Sequence, residues 1–202
     1  APIQYPAILI IAAGQSKRLG SPKQLLVFEG ETLINRQIRI ITGAVSMPVY
    51  LVLGAHAISI TSQLKDHEVT VVINDQWQEG MASSIRVGID AIMNKNSSID
   101  GVMIVVCDQP FLDASIIQSI FCLQKTSLQS IVACSYDGIV GTPVLFHKTM
   151  FEKLLALEGD IGARKIINDN PDEVAILSFE KGIVDIDTLE DYQKLVKEAA
   201  SK

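Results

Sequence analysis

Short runs of aliphatic residues alternate along the chain with segments in which apolar residues recur every three or four positions. The first pattern is typical of strands and the second of amphipathic helices. The run at 101–107 is apolar throughout, which indicates a strand buried on both faces of a sheet. The predicted strands are 7–12, 48–53, 69–73, 101–107, 131–135, 142–146, 174–178 and 183–186. The predicted helices are 32–42, 57–65, 82–94, 114–126, 148–157, 161–168 and 188–200.

This alternation of strands and helices predicts the α/β class. Because strand–helix–strand units wind in a right-handed sense, we expect a three-layer α/β/α sandwich with a mostly parallel, Rossmann-like central sheet. The sequence has no linker-like low-complexity tract and no internal repeat, which favours a single domain over 1–202. Ligands of such sheets bind beyond the carboxyl ends of the strands, so the loops that follow strands are the candidate sites.

The loop at 12–23 follows the first predicted strand and has the strongest chemical signal. Gly14 and its small neighbours let backbone N–H groups approach phosphate oxygens, and three cations (Lys17, Arg18 and Lys23) can add charge-assisted hydrogen bonds. The loop fits neither common phosphate-loop template, G-x-x-x-x-G-K-[ST] or G-x-G-x-x-G. The alternative is a glycine turn with solvated cations, but small residues and cations in register favour a site for a nucleoside triphosphate.

Two acidic segments are candidates for a cation site. Asp108 follows the buried strand at 101–107, and Mg²⁺ bound to a triphosphate takes one or two protein carboxylates. Asp108 could equally begin a turn before Pro110. Asp185 and Asp187 share one side of an extended segment, although the helix dipole also favours acidic residues near a helix start.

The segment 74–84 connects a predicted strand to a predicted helix and is a third candidate. Gly80 permits close approach of a ligand, and Ser83 and Ser84 lie in the first helical turn, where N–H groups lack partners. The alternatives are that Ser83 caps the helix and that Trp77 packs in the core or at its rim.

Three motifs carry a resemblance to a known family. They are Ala-Ala-Gly-x-Ser-x-Arg-x-Gly-x-x-Lys over 12–23, Cys-Asp-Gln-Pro over 107–110 and Asn-x-x-Trp-x-x-Gly-x-x-x-Ser over 74–84. They resemble the MobA-like nucleotidyltransferases, and within them the molybdenum cofactor cytidylyltransferases above all. The resemblance implies the nucleotide-diphospho-sugar transferase-like form of the fold. The nucleotide-binding residues that it implies are Ala12, Ala13, Gly14, Ser16, Arg18, Lys23, Gly80 and Ser84.

The reaction that the resemblance implies is the transfer of CMP from CTP to the terminal phosphate of molybdopterin or molybdenum cofactor, with release of pyrophosphate. Arg18 would hold the β- and γ-phosphates, and Lys23 would neutralise the α-phosphate. The metal would be Mg²⁺ on Asp108 and Asp187, with Asp185 in reserve. The catalytic residues would therefore be Arg18, Lys23 and Asp108.

Two later segments resemble parts of the cytidylyltransferases that would contact the acceptor. Thr142 stands where many relatives carry histidine, which leaves the acceptor contact open. Asp160 could instead cap the helix predicted at 161–168, and Arg164 could lie on its solvated face. The candidate acceptor-binding residues are Gly141, Thr142, Pro143, Asp160 and Arg164.

Composition limits the partners. A net charge of −6 argues against a general nucleic-acid binder, and the apolar runs are too short to predict a membrane span. The 3 cysteines are widely spaced and form no CxxC pair, so we expect buried thiols in a reducing cytoplasm. The expected partners are CTP or another nucleoside triphosphate, a molybdopterin-type cofactor and a molybdoenzyme that could receive the product.

Three alternatives remain open at this stage. GTP could replace CTP, although guanylyl-transferring relatives tend to have a more glycine-rich start than Ala12-Ala13-Gly14. The acceptor could be a sugar phosphate or a polyol phosphate, against which the segments at Gly141 and Gly159 argue. The chain could also be a non-catalytic carrier of the molybdenum cofactor. A carrier would have no need to keep all four residues that would bind phosphate and metal, which are Arg18, Lys23, Asp108 and Asp187.

Overall fold

The computed structural model describes residues 1–65 and 69–201, and its centre is a seven-stranded sheet. A separate two-stranded hairpin consists of β2 (Val27–Phe28) and β3 (Glu31–Thr32). The strands of the main sheet are β1 (Pro6–Ala12), β4 (Val49–Leu53), β5 (Val69–Ile73), β6 (Gly101–Val106), β7 (Ile131–Tyr136), β8 (Ile139–His147) and β9 (Val174–Ser178).

The order across the main sheet is β5-β4-β1-β6-β8-β7-β9. Strand β1 pairs in parallel with both β4 and β6, and β7 pairs in parallel with β9. Strand β8 pairs antiparallel with both of its neighbours, β6 and β7, so it alone among the seven strands runs in the opposite direction. The mostly parallel sheet expected from the sequence is thereby confirmed.

Helices cover both faces of the sheet, because side chains of each buried strand alternate between two apolar clusters. The helices are α1 (Leu33–Ala44), α2 (Ala57–Gln63), α3 (Met81–Lys95), α4 (Ala114–Ser127), α5 (Phe151–Leu155), α6 (Arg164–Asp169) and α7 (Leu189–Ala200). Ile8 and Ile10 of β1 belong to the cluster under α1, α4 and α7, whereas Leu9 and Ile11 belong to the cluster under α3, α5 and α6. This arrangement is the expected three-layer sandwich.

The strand predicted at 183–186 was wrong. A 3-10 turn at Glu180–Ile183 packs there, and the backbone after it is extended without joining the sheet. The reason is Gly182, where a Cβ would lie 2.6 Å from the ring of Tyr136 and 2.8 Å from that of Phe179, so the chain turns under the end of β7. Alternation nevertheless holds beyond the turn, since Ile186 is fully buried.

Two helices differ from their predicted bounds by three residues at the start, and the others by one or two residues at an end. The one predicted at 148–157 begins as a 3-10 turn at Lys148–Met150 and continues as α5, and the one predicted at 161–168 begins later, at α6. Cys107 and Cys134 are buried as expected, but Cys122 lies exposed on α4, so that part of the prediction was wrong. Among the helices of the described residues, none is both long and apolar enough to cross a membrane.

The start of α7 follows its sequence signal. Thr188 accepts a hydrogen bond from the backbone N–H of Asp191, and the Asp191 carboxylate accepts one from the N–H of Thr188, which completes a capping box. The same carboxylate also accepts a hydrogen bond from the N–H of Asp187, at 3.0 Å. The helix start therefore holds the backbone of Asp187 in place.

Candidate functional site

Three segments that are distant in sequence meet at the carboxyl edge of the sheet. Strands β1 and β6 are parallel neighbours with Ile11 opposite Val106, so the loop after β1 and the turn that holds Asp108 emerge side by side. The backbone N–H of Ile186 donates to the carbonyl of Asp108, at 3.2 Å, and brings the segment with Asp187 to the same edge. The predicted loop and the predicted carboxylates thus belong to one site.

The ammonium of Lys23 joins the two carboxylates. Its Nζ lies 3.0 Å from Oδ2 of Asp108 and 2.9 Å from Oδ1 of Asp187. A guanidinium nitrogen of Arg18 lies 3.6 Å from Oδ2 of Asp187. The side chain of Lys23 is 16% exposed and that of Arg18 is 70% exposed, so Lys23 forms the inner contact and Arg18 the outer one.

The charges of this cluster shift the pKa values of its members. Burial lowers the pKa of Lys23, but the charges and hydrogen bonds of Asp108 and Asp187 outweigh it, and the net shift is upward. Burial likewise raises the pKa of Asp187, but the hydrogen bond and charge of Lys23 and the charge of Arg18 reverse the shift, so the net pKa is lowered. Desolvation and then the negative charges of Asp187 and Asp108 raise the pKa of Asp185.

The donor set at this edge fits a cation that arrives with phosphates. One carboxylate oxygen of Asp108 and one of Asp187 are both within 3.0 Å of the same ammonium, so the two oxygens face one cation position. Mg²⁺ is commonly held by one or two carboxylates together with substrate phosphates and water. Within residues 1–65 and 69–201, no group of three or more His, Cys, Asp or Glu side chains could hold a metal by itself.

A cavity of about 560 Å³, here called the loop cavity, lies beside this cluster. Its walls are the loop after β1, the segment before α3 and the carboxylate of Asp160. Ala12 and Lys23 lie outside its walls: Ala12 packs in the core under α1, and Lys23 pairs with the two carboxylates. The predicted nucleotide-binding residues that line the loop cavity are Ala13, Gly14, Ser16, Arg18, Gly80 and Ser84.

The loop has a defined conformation. Ser16 adopts φ +56°, in the left-handed region, and its Oγ accepts a hydrogen bond of 3.0 Å from the backbone N–H of Lys23. Nε2 of His56 lies 2.8 Å from the carbonyl oxygen of Gln15 and holds the other side of the loop. Contacts within the chain therefore hold the loop at Gln15 and at Ser16.

The segment before α3 contributes a second wall. Nδ2 of Asn74, the first position of the third motif, to which the sequence assigned no role, donates to Oγ of Ser83 (2.8 Å) and of Ser84 (3.0 Å). Ser83 does not cap the helix: the N-cap is Gly80, and the Ser83 hydroxyl bonds back to the Gly80 carbonyl, at 2.8 Å. Trp77 is half-buried, packs against the core and lines the loop cavity, in keeping with a rim position.

A second cavity of about 620 Å³, here called the β8 cavity, adjoins the first and shares Met81 and Asp160 with it. Pro143 lies outside its walls, buried in the sheet. Ile85 and Ile104 form part of an apolar wall of the β8 cavity, and the charged residues Lys165 and Asp169 also line it. The predicted acceptor-binding residues that line the β8 cavity are Gly141, Thr142, Asp160 and Arg164.

Close backbone contacts lie next to Met81 and Asp160, the two residues that both cavities share. Gly80 has φ +109°, and a Cβ at this position would lie 2.6 Å from the carbonyl oxygen of Gly159. One interpretation of the sequence was that Asp160 caps the helix that follows it. This interpretation was wrong, because α6 begins only at Arg164. The carboxylate of Asp160 instead accepts a long hydrogen bond, 3.4 Å, from the backbone N–H of Met81 at the start of α3.

Arg164 is exposed at the wall of the β8 cavity. Its guanidinium lies 3.5 Å from the position that a Cβ of Gly141 would take. It forms no ion pair with the described part of the chain, so its charge is available to an anion in this cavity.

Two buried glutamines, Gln24 and Gln109, support the site. Gln109 belongs to the Cys-Asp-Gln-Pro motif, whereas the only sequence signal for Gln24 is its position next to Lys23. Nε2 of Gln109 donates to the carbonyls of Thr142 and Gly182, at 3.0 Å each, and so ties the end of β6 to β8 and to the turn before Asp187. Gln24 binds the loop after β1 in a similar way.

The sheet order, the reversed strand and the loop after β1 define the class: the fold is that of the nucleotidyltransferases with the nucleotide-diphospho-sugar transferase architecture. A family model described as the MobA-like NTP transferase domain matches residues 8–174. The chain therefore belongs to the MobA-like NTP transferase family.

Curated relatives with different names match nearly the full chain. Nicotine blue oxidoreductase of Paenarthrobacter nicotinovorans is 28% identical, over 93% of this chain and 95% of its own length. Purine catabolism protein PucB of Bacillus subtilis is 26% identical, over 96% of each. Molybdenum cofactor cytidylyltransferase of Escherichia coli is 22% identical, over 91% of this chain and 92% of its own length.

Solved structures agree with this assignment. Rv0371c from Mycobacterium tuberculosis superposes with a TM-score of 0.85 at 27% identity, covering 98% of this chain and 100% of that one. A complex of that mycobacterial protein with manganese gives a TM-score of 0.79 at 25% identity, covering 96% of this chain and 99% of that one.

Replacing Gly80 with alanine tests the contact between the two cavities. The new Cβ would meet the Gly159 carbonyl at 2.6 Å in a backbone region that only glycine adopts readily. Gly138 is a matched control, since its φ is +73° but nothing lies within 4 Å of its Cβ position. We expect Gly80→Ala to lower the free energy of unfolding by about 1–3 kcal/mol more than Gly138→Ala does in urea titrations. Equal losses would show that the Gly80–Gly159 contact does not constrain the fold.

Proposed function

We propose that the chain transfers CMP from CTP to the terminal phosphate of a molybdopterin-type cofactor and releases pyrophosphate. The observation that carries this proposal is the contact of Lys23 with Asp108 and Asp187 beside the loop cavity. It combines a cation for a phosphate with two carboxylates for a metal, at the edge where a sheet of this kind binds its ligands.

The residues of the chain divide the work of nucleotidyl transfer between them. Such transfer depends mainly on positioning and on neutralising charge, so no covalent intermediate with the protein is needed. Arg18, exposed on the wall of the loop cavity, would bind the β- and γ-phosphates of the leaving group. Lys23 would stabilise the negative charge that builds on the α-phosphate.

A divalent metal supports the same chemistry. Mg²⁺ would be held by Asp108 and Asp187 and would, when bound, neutralise phosphate charge and orient the α-phosphate and the leaving oxygens. The manganese complex of the mycobacterial protein is in keeping with a divalent ion in a relative. Asp185 is the less suitable ligand, because desolvation and then the charges of Asp187 and Asp108 raise its pKa, which opposes the ionised form that a metal ligand needs.

The choice of base and acceptor rests on three further observations. The start Ala12-Ala13-Gly14 is less glycine-rich than is usual for guanylyl transfer, and a relative of nearly full coverage is named a molybdenum cofactor cytidylyltransferase. The β8 cavity joins an apolar wall to Arg164, a combination suited to an acceptor with an apolar body and an anionic group.

The direct test is pyrophosphate release by purified protein with Mg²⁺ and molybdenum cofactor, with CTP, GTP, ATP and UTP compared in parallel. We expect release with CTP and little with the other three. Release with GTP instead would overturn the choice of base and keep the mechanism. No release with any nucleotide, with cofactor binding intact, would favour a carrier of the cofactor.

Lys23→Ala tests the role of the central cation. We expect turnover to fall by about two to three orders of magnitude, the usual scale for loss of one preorganised charge stabiliser. Lys194→Ala is the control, because it removes an exposed lysine of α7. Both rates are measured as pyrophosphate release at saturating CTP, after circular dichroism has shown that each variant is folded. Turnover of Lys23→Ala near that of the control would refute this role.

A further inference from the structure

Gln24 lies beneath the loop after β1 and is only 2% exposed. Its Nε2 donates to the carbonyl oxygen of Ala12 at 2.9 Å and approaches that of Gly14 at 3.4 Å. Because Gln24 directly follows Lys23, these contacts close the loop into a ring that contains the central cation. The backbone N–H of Lys23, bonded to Ser16, makes a second closure of the same ring.

These contacts fix the direction of two peptide groups. In a planar trans peptide, the carbonyl and the N–H of the next residue point to opposite sides. A carbonyl of Ala12 that faces Gln24 therefore turns the N–H of Ala13 away from Gln24, and the carbonyl of Gly14 does the same for the N–H of Gln15. Ala13 and Gln15 both line the loop cavity, which is the open side of the loop.

Only the NH₂ group of the Gln24 amide forms hydrogen bonds with the described part of the chain. Among the described residues, Oε1 of Gln24 is buried without a hydrogen-bond partner. A buried acceptor in that state is unfavourable, so the site uses the NH₂ group at the expense of the oxygen. An apolar side chain of the same length would fill the space but leave the loop carbonyls unheld.

We propose that Gln24 is a positioning residue that aims the N–H groups of Ala13 and Gln15 at a nucleotide in the loop cavity. This inference rests on the proposed function, since it requires that the loop cavity binds a nucleoside triphosphate. Gln24 acts through the backbone of the loop and does not itself line the cavity.

Gln37 provides a matched control within the chain. It is 5% exposed, its Nε2 donates to the Val106 carbonyl at 2.6 Å, and its Oε1 is also buried without a partner in the described residues. It lies on α1 and touches the end of β6, not the loop. Loss of the Gln37 amide should therefore lower the free energy of unfolding about as much as loss of the Gln24 amide does. It should leave the conformation of the loop after β1 unchanged.

The experiment compares wild type, Gln24→Met and Gln37→Met. Trp77 is the single tryptophan of the chain and lines the loop cavity. Its fluorescence therefore reports nucleotide binding in the absence of the acceptor, when no transfer takes place. We expect Gln24→Met to raise the Kd for CTP about tenfold and Gln37→Met to change it less than about twofold, at similar melting temperatures. In pyrophosphate release, the KM for CTP of Gln24→Met should rise by the same factor, with kcat within about threefold of wild type.

Equal Kd values for wild type and Gln24→Met would overturn the role of Gln24 and leave the proposed function standing. An equal rise in the Kd for CTP in both variants would show that the rise comes from a general loss of stability. It would likewise overturn the role of Gln24. If wild type binds none of CTP, GTP, ATP or UTP, both this inference and the proposed function fail. Gln24→Leu, which also lacks the donor, replaces Gln24→Met if the latter does not fold, with the same expected Kd.

Discussion

The ammonium of Lys23 between Asp108 and Asp187 is the contact on which the rest of the site depends. It joins three segments that the fold brings to one edge of the sheet: the loop after β1, the turn after β6 and the segment before α7. Two partly buried carboxylates would repel each other without a cation between them. The opposite shifts of the pKa values, upward for Lys23 and downward for Asp187, express the same mutual stabilisation.

Around this contact, the molecule provides two cavities that meet at Gly80, Met81 and Asp160. One has a loop of small residues and cations, and the other has an apolar wall with the exposed charge of Arg164. A transferase needs a place for a donor and a place for an acceptor next to each other. The close backbone contact of Gly80 with Gly159 keeps the two cavities adjacent.

The sequence predicted the parts of the fold that depend on local pattern, such as the apolar strand at 101–107, the helix that follows Asp187 and the mostly parallel sheet. It also placed Asp108 and the loop at one edge, because both follow strands that are buried. It failed at 183–186, where Gly182 packs against the ring of Tyr136, which is distant in sequence, as well as that of Phe179. The alternative that Asp160 caps its own helix also failed, because its carboxylate binds the start of α3. The contacts of the supporting amides of Asn74, Gln24 and Gln109 were not predicted either, since tertiary structure determines their partners, although Asn74 and Gln109 belong to the quoted motifs.

The central claim is that Asp108 and Asp187, which lie 79 residues apart in sequence, form one cation site with Lys23 between them. The most direct measurement is the Kd of Mn²⁺ in the presence of CTP, determined by electron paramagnetic resonance. It compares wild type with Asp108→Asn and Asp187→Asn. Asp137→Asn, which changes an exposed turn, is the control. The account predicts that each of the two site variants weakens Mn²⁺ binding by at least about tenfold and that the control does not. Binding that is unchanged in either site variant would contradict it.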